Sequence, residues 1–70
     1  MMAVRELVII YSEKSPLYYK YGGEEKFENI GVEYKGDFIR ITKNGKFLKA
    51  VSRSSIEGIK VLKWVDMKEN

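Results

Sequence analysis

The residues of this sequence best suited to chemistry are basic and aromatic side chains grouped in its second half. They alternate with apolar residues along predicted strands, a spacing that places every second side chain on one face of a sheet. Lysine and arginine neutralise phosphates, and phenylalanine rings stack on bases or wedge between them. The pattern therefore predicts a nucleic-acid-binding surface, and its candidate residues are Lys35, Phe38, Arg40, Thr42, Phe47 and Lys49.

The composition argues against catalysis and against metal binding. The chain has no cysteine and no histidine, so it lacks thiolate ligands, the commonest metal ligand and the usual general base near neutral pH. Glu24 and Glu25 are neighbours on a predicted strand and point to opposite faces, so they cannot share a substrate. Ser54 and Ser55 have no histidine to activate them. We therefore expect a non-enzymatic protein with no metal and no cofactor.

The length and the charge of the chain further limit the class of protein. Seventy residues allow one small domain, residues 1–70, whose stability needs support from dense packing, ion pairs or a second copy. The charged fraction of 33% and the absence of glutamine are typical of thermophilic proteins. Residues 1–35 hold five basic and six acidic side chains, whereas residues 36–70 hold eight and four. The longest apolar run, residues 7–11, is too short to span a membrane, so we expect a cytoplasmic protein.

Two turn signals set the register of a predicted three-stranded meander. Residues 36–37 (Gly-Asp) and 44–45 (Asn-Gly) each separate two strand-like segments, as in two-residue hairpin loops. In that register Val32 faces Ile41, and Ile41 faces Leu48. The predicted core face comprises Ile30, Val32, Tyr34, Ile39, Ile41, Leu48 and Ala50. The opposite face comprises Glu33, Lys35, Phe38, Arg40, Thr42, Phe47, Lys49 and Val51.

The remaining segments complete a fold prediction. Residues 4–12 predict a strand with apolar residues on both faces, and residues 17–28 predict a hairpin or a long structured loop. Residues 52–58 predict one turn of 3₁₀ helix, and residues 59–65 predict a closing strand. This order is typical of an all-β, SH3-like barrel of five to six strands with one 3₁₀ turn before the last strand. Apolar residues on both faces of the first and last strands also favour a homodimer.

Three segments resemble those of a known family. Residues 20–26 (KYGGEEK), 32–42 (VEYKGDFIRIT) and 45–52 (GKFLKAVS) are similar to the corresponding segments of the small archaeal seven-kilodalton chromatin proteins. Those proteins are SH3-like barrels that bind duplex DNA through the outer face of a triple-stranded sheet. Their final helix has no counterpart here, since residues 59–65 predict a strand.

The resemblance implies roles for individual residues. Phe38 falls where the family places an apolar wedge in the DNA minor groove, and Thr42 matches a threonine beside it. Lys49 matches an arginine on the DNA-binding face. Two positions depart from the pattern, because Glu33 stands where the family has a DNA-facing tryptophan and Lys35 where it has a valine wedge.

Other interpretations of the same residues stay open. The face can be a solvated sheet surface on which Glu33 pairs with Arg40 and Phe38 packs beside Val51. Residues 17–21 (LYYKY), which carry Tyr18, Tyr19 and Tyr21, loosely resemble the aromatic loop of peptide-binding SH3 domains. The leading prediction is binding of nucleic acid, with duplex DNA favoured and little sequence specificity. The alternative is a module that binds a protein partner or a second copy of itself.

Overall fold

A computed structural model describes residues 2–65. Its elements are β1 (Met2–Tyr11), α1 (Pro16–Tyr21), β2 (Glu24–Lys35), β3 (Phe38–Lys43), β4 (Lys46–Ser52), a 3₁₀ turn (Arg53–Ser55) and β5 (Ile56–Trp64). The five strands form one antiparallel sheet in the order β4-β3-β2-β1-β5. The predicted all-β, SH3-like barrel, with a 3₁₀ turn before the last strand, is confirmed.

The long strand β2 serves both halves of the sheet. Its residues 24–32 pair with β1, and its residues 31–35 pair with β3. Asn29 adopts a positive φ of 55° and interrupts the alternation of faces. Because of this interruption, Phe27 and Ile30 are both buried although they are three residues apart. One continuous strand thereby lines two sides of the core.

The core lies on the inner side of the sheet. Strand β1 pairs with β2 on one side and with β5 on the other, and it supplies four buried side chains. The buried apolar residues are Val4, Leu7, Ile9, Tyr11, Phe27, Ile30, Val32, Ile39, Ile41 and Val51. The hairpin of β2 and β3 has the predicted register, with Val32 opposite Ile41, and the predicted core positions on these two strands are buried apart from Tyr34.

Strand β4 departs from the predicted register at one residue. Thr42 faces Phe47 beside the turn, as the two-residue loop requires. The next pair joins Ile41 to Lys49, so Leu48 is an extra residue that forms a β-bulge. The predicted pairing of Ile41 with Leu48 is therefore wrong.

The bulge exchanges the two faces of β4 beyond Leu48. Val51, predicted on the non-core face, is buried at 2% exposure, and Ala50, predicted in the core, is exposed. Lys49 moves to the inner side with Val51, and Leu48 remains 47% exposed. Burial of the larger apolar side chain in place of alanine favours this register. Tyr34 was also predicted in the core, but its side chain lies near the end of β2 and is exposed.

Residues 17–21 form a helix instead of the predicted hairpin or loop. The Ser15 hydroxyl oxygen accepts a hydrogen bond from the Leu17 N–H at 3.1 Å, and Pro16 occupies the first helical position. Gly22, with φ of 71°, ends the helix in the left-handed conformation. Within residues 2–65, no helix is long and apolar enough to cross a membrane.

Because of the bulge, we expect two apolar truncations in this hairpin to lower the free energy of unfolding by different amounts. Ile41→Ala should lower the free energy of unfolding by roughly 2–5 kcal/mol, because Ile41 is fully buried. Leu48→Ala should cost less than half as much, because Leu48 is half exposed. Chemical denaturation measures both. Equal costs would mean that Leu48 occupies the buried position of the regular register and that the bulge is wrong.

Candidate nucleic-acid interface

Five of the six predicted site residues lie together on one surface. The ladder places Lys35 opposite Phe38 and Thr42 opposite Phe47, with Arg40 on the same side of β3. The intervening residues of β3 point into the core. The outer face is the name used below for this surface, formed by Glu33, Lys35, Phe38, Arg40, Thr42, Phe47 and Ala50.

Arg40 occupies the centre of the outer face. Its Nη1 lies 3.5 Å from Oε1 of Glu33 on β2, which confirms the predicted cross-strand ion pair. Its guanidinium carbon lies 5.4 Å from the ring centre of Phe47 on β4. Both charged side chains are partly exposed, so this ion pair contributes at most about 1 kcal/mol. A guanidinium has five N–H donors, and the pair with Glu33 leaves several of them for a ligand.

Two phenylalanine rings flank Arg40. Phe38 is 50% exposed and Phe47 is 59% exposed. Phe47 faces Thr42, four residues along β3 from Phe38, so the backbone positions of the two phenylalanines are roughly 13 Å apart along the strand at ~3.3 Å per residue. The predicted packing of Phe38 beside Val51 is wrong, because the bulge turns Val51 into the core. Each ring therefore has an accessible surface.

Lys49, the sixth predicted residue, lies on the inner side of β4 and away from the outer face. Its Nζ donates to Oε1 of Glu25 at 2.8 Å and to the hydroxyl of Tyr21 at 3.2 Å. The Tyr11 hydroxyl donates to the same carboxylate oxygen at 2.7 Å. The rings of Tyr11 and Tyr21 stack with their centres 5.6 Å apart. We call Lys49, Glu25, Tyr11 and Tyr21 the Lys49 cluster.

The Lys49 cluster has perturbed ionisation. Burial raises the pKa of the Tyr11 hydroxyl to about 12, and the neighbouring Glu25 carboxylate acts in the same direction. Burial disfavours the charged form of Lys49, but its hydrogen bonds to Glu25 and Tyr21 outweigh that effect and raise the pKa of Lys49. Lys49 is therefore charged and already paired at neutral pH. Its role is to join β4 to β2 and α1.

The tyrosines of α1 do not form one surface. Tyr21 belongs to the Lys49 cluster, and Tyr18 packs its ring edge against Tyr19, with ring centres 5.2 Å apart. Tyr19 is exposed, whereas Tyr18 is partly buried. This arrangement does not favour the peptide-binding interpretation of residues 17–21.

Comparison with known proteins found no relative of this chain. No family model matches it, and no curated protein and no solved structure matches it either. The resemblance to the archaeal chromatin proteins stays a prediction.

The Lys49 cluster predicts a stability loss in alkali. The folded-state pKa values of Tyr11 and Lys49 lie above their unfolded values. Their contribution is therefore fully present below about pH 10 and is lost as the pH rises through the folded-state pKa values. Tyr11→Phe removes one titrating group, so its free energy of unfolding should fall less between pH 10 and 12, by roughly 2–3 kcal/mol.

The measurement is urea denaturation at several pH values, with Tyr19→Phe as the matched control. Tyr19 is exposed and outside the cluster, so this variant should keep the wild-type pH dependence. If Tyr11→Phe lost stability in alkali as steeply as the wild type, the assigned role of the Tyr11 hydroxyl would be wrong.

Proposed function

We propose that this protein binds nucleic acid through its outer face, without catalysis and with little sequence specificity. One observation carries the proposal, which is that Arg40 lies between two half-exposed rings, Phe38 and Phe47, on the outer face of strands β2, β3 and β4. Large apolar side chains on an outer sheet face need a cover or a partner. A cation between aromatic rings suits a ligand that has both phosphates and flat bases.

The charges around this surface support the proposal. Lys35 stands beside Phe38 across the ladder, and it has no ion pair among residues 2–65. Lys43 and Lys46 form the ladder pair next to Thr42 and Phe47, so they point to the opposite side and add no charge to the outer face. The Lys43 ammonium donates a hydrogen bond to the carbonyl oxygen of Glu28 at 2.9 Å. Glu33 is the acidic residue on the outer face, and Arg40 balances it. A polyanion therefore meets a net positive surface with aromatic contacts.

Low specificity follows from the small number of groups that can contact bases. Phosphate contacts position a protein on nucleic acid but carry no sequence information. The outer face offers Thr42 and the pair formed by Glu33 and Arg40 as polar side chains that reach base edges. The predicted preference for duplex DNA depended on several phosphate partners, Lys49 among them. Because Glu25 holds Lys49 on the inner side, Lys49 adds nothing to such a preference.

A protein partner or a second copy is the alternative, and one observation favours it. Strand β5 lies at an edge of the sheet and exposes Leu62 and Trp64. The same strand has a bulge on each side of its centre and carries Lys60 and Lys63, features that discourage edge-to-edge pairing. The outer face therefore offers the better-defined site.

The proposal is tested by fluorescence anisotropy. The measurement gives the affinity for a labelled DNA duplex and for one of its strands alone, at several salt concentrations. Arg40→Ala should weaken binding and lower the salt slope by about 0.9 on the duplex, the effect of one phosphate contact. Phe38→Ala should weaken binding with little change in slope, because a ring contributes no charge. An apolar protein contact would depend far less on salt.

Lys49→Met is the matched control. It removes one positive charge as Arg40→Ala does, but on the inner side, so it should lower the melting temperature and leave affinity and salt slope unchanged for the folded protein. The proposal is wrong if neither probe binds the wild type in the micromolar range at low salt. It is equally wrong if Lys49→Met weakens binding as much as Arg40→Ala.

A further inference from the structure

On the basis of the proposed function, we infer that the outer face binds a single strand of nucleic acid in preference to a duplex. Two bases stack on Phe38 and Phe47. The edge of a base between them meets Glu33 and Arg40. The inference rests on the charge of the face, on the placement of the rings and on the position of Glu33.

The charge of the outer face is poorly matched to a duplex. Double-stranded DNA carries one charge per about 1.7 Å of its axis, so roughly eight phosphates, counted over both strands, lie along the ~13 Å between the positions of Phe38 and Phe47. In the described part of the chain, the outer face opposes them with Lys35 and Arg40, and Arg40 is already paired with Glu33. Phosphate contacts are the main source of duplex affinity. This face therefore supplies few of the contacts that a duplex needs.

The two rings match unstacked bases. Both are half exposed, so each presents ring surface on which a base can stack. In a duplex the bases stack on each other, and a protein reaches their faces only by unstacking a step. A single strand can turn its bases toward the sheet and leave its phosphates at the rim. The roughly 13 Å between Phe38 and Phe47 leaves room for an intervening base.

Glu33 has a positive role in this arrangement. A carboxylate at the centre of the surface repels phosphates, but it accepts hydrogen bonds from the amino group of cytosine. Arg40, 3.5 Å away, donates to base acceptors. The pair therefore presents an acceptor and a donor to the edge of a base. Thymine has no exocyclic amino group, so the face should prefer cytosine to thymine.

Competition anisotropy with three probes of equal length tests the inference: oligo(dC), oligo(dT) and a mixed-sequence duplex. Mildly alkaline buffer keeps oligo(dC) single-stranded. Both single strands should bind the wild type at least tenfold more tightly than the duplex, and oligo(dC) several-fold more tightly than oligo(dT). Phe47→Leu keeps apolar volume but removes the ring, so it should weaken single-strand binding by about fivefold or more.

Two variants of Glu33 separate its charge from its acceptor. Glu33→Gln removes the charge but keeps an acceptor oxygen, so it should retain the preference for oligo(dC). Glu33→Met removes both and should bring the ratio of the two affinities close to one. Circular dichroism melting establishes that each variant is folded at the temperature of the binding measurement.

The outcomes separate this inference from the proposed function. Duplex binding as tight as single-strand binding would overturn the inference and leave the proposed function intact. Equal wild-type affinities for oligo(dC) and oligo(dT) would overturn the role of Glu33. Failure of all three probes to bind in the micromolar range would overturn both the inference and the proposed function.

Discussion

The bulge at Leu48 is the constraint on which the rest of this structure depends. It inserts one residue into β4 between the pair of Thr42 with Phe47 and the pair of Ile41 with Lys49. A shift of one residue in a strand moves all later side chains to the opposite face. Val51 consequently enters the core. Lys49 moves to the inner side, where its side chain is mostly buried. A lysine on the inner side needs a partner, because an unpaired charge is costly to bury.

Glu25 is that partner, and it connects distant parts of the chain. Its carboxylate accepts hydrogen bonds from Lys49 on β4 and from Tyr11 on β1. Tyr21 of α1 stacks on Tyr11 and accepts a hydrogen bond from Lys49. The short helix is therefore held against the sheet by the cluster that the bulge requires. Among residues 2–65, no buried side-chain nitrogen or oxygen lacks a hydrogen-bond partner. Full pairing is the condition for burying such a network.

The same bulge gives the outer face its composition. It places Ala50 opposite Arg40 and leaves Phe47 on the outer side. A small residue opposite Arg40 leaves space for the guanidinium to lie near Glu33 and the Phe47 ring. The surface thus has one basic residue fewer than the regular register would give it, while Phe38 and Phe47 remain on it. That balance between charge and aromatic area is the physical basis of the proposed preference for single strands.

Much of the fold follows from the sequence, because turn chemistry and period-2 alternation are local signals. They locate the hairpin of β2 and β3 with its register, the buried Ile39 and Ile41, and the 3₁₀ turn. The bulge has no such signal, since Leu48 is an ordinary strand residue and only the gain from burying Val51 favours it. The helix at residues 17–21 was not predicted either, for a related reason.

The tyrosines of residues 17–21 favour strands, but this preference depends strongly on the structural context. The helix is stabilised instead by its capping residues, Ser15 and Gly22, and by stacking of Tyr21 on Tyr11. The candidate site was predictable where it lies on β2 and β3 and at Phe47 before the bulge. Beyond Leu48 the sequence does not show which face a residue lies on, so Lys49 was placed on the wrong side.

We propose that the bulge divides β4 into two parts, with Phe47 before it on the binding face and Lys49 after it in a structural cluster. Backbone and side-chain chemical shifts recorded by NMR during a titration with oligo(dC) test it most directly. The largest changes should occur at Glu33, Phe38, Arg40 and Phe47, while the Lys49 ammonium and the Tyr21 ring should keep their shifts. Changes at Lys49 as large as those at Arg40 would contradict it.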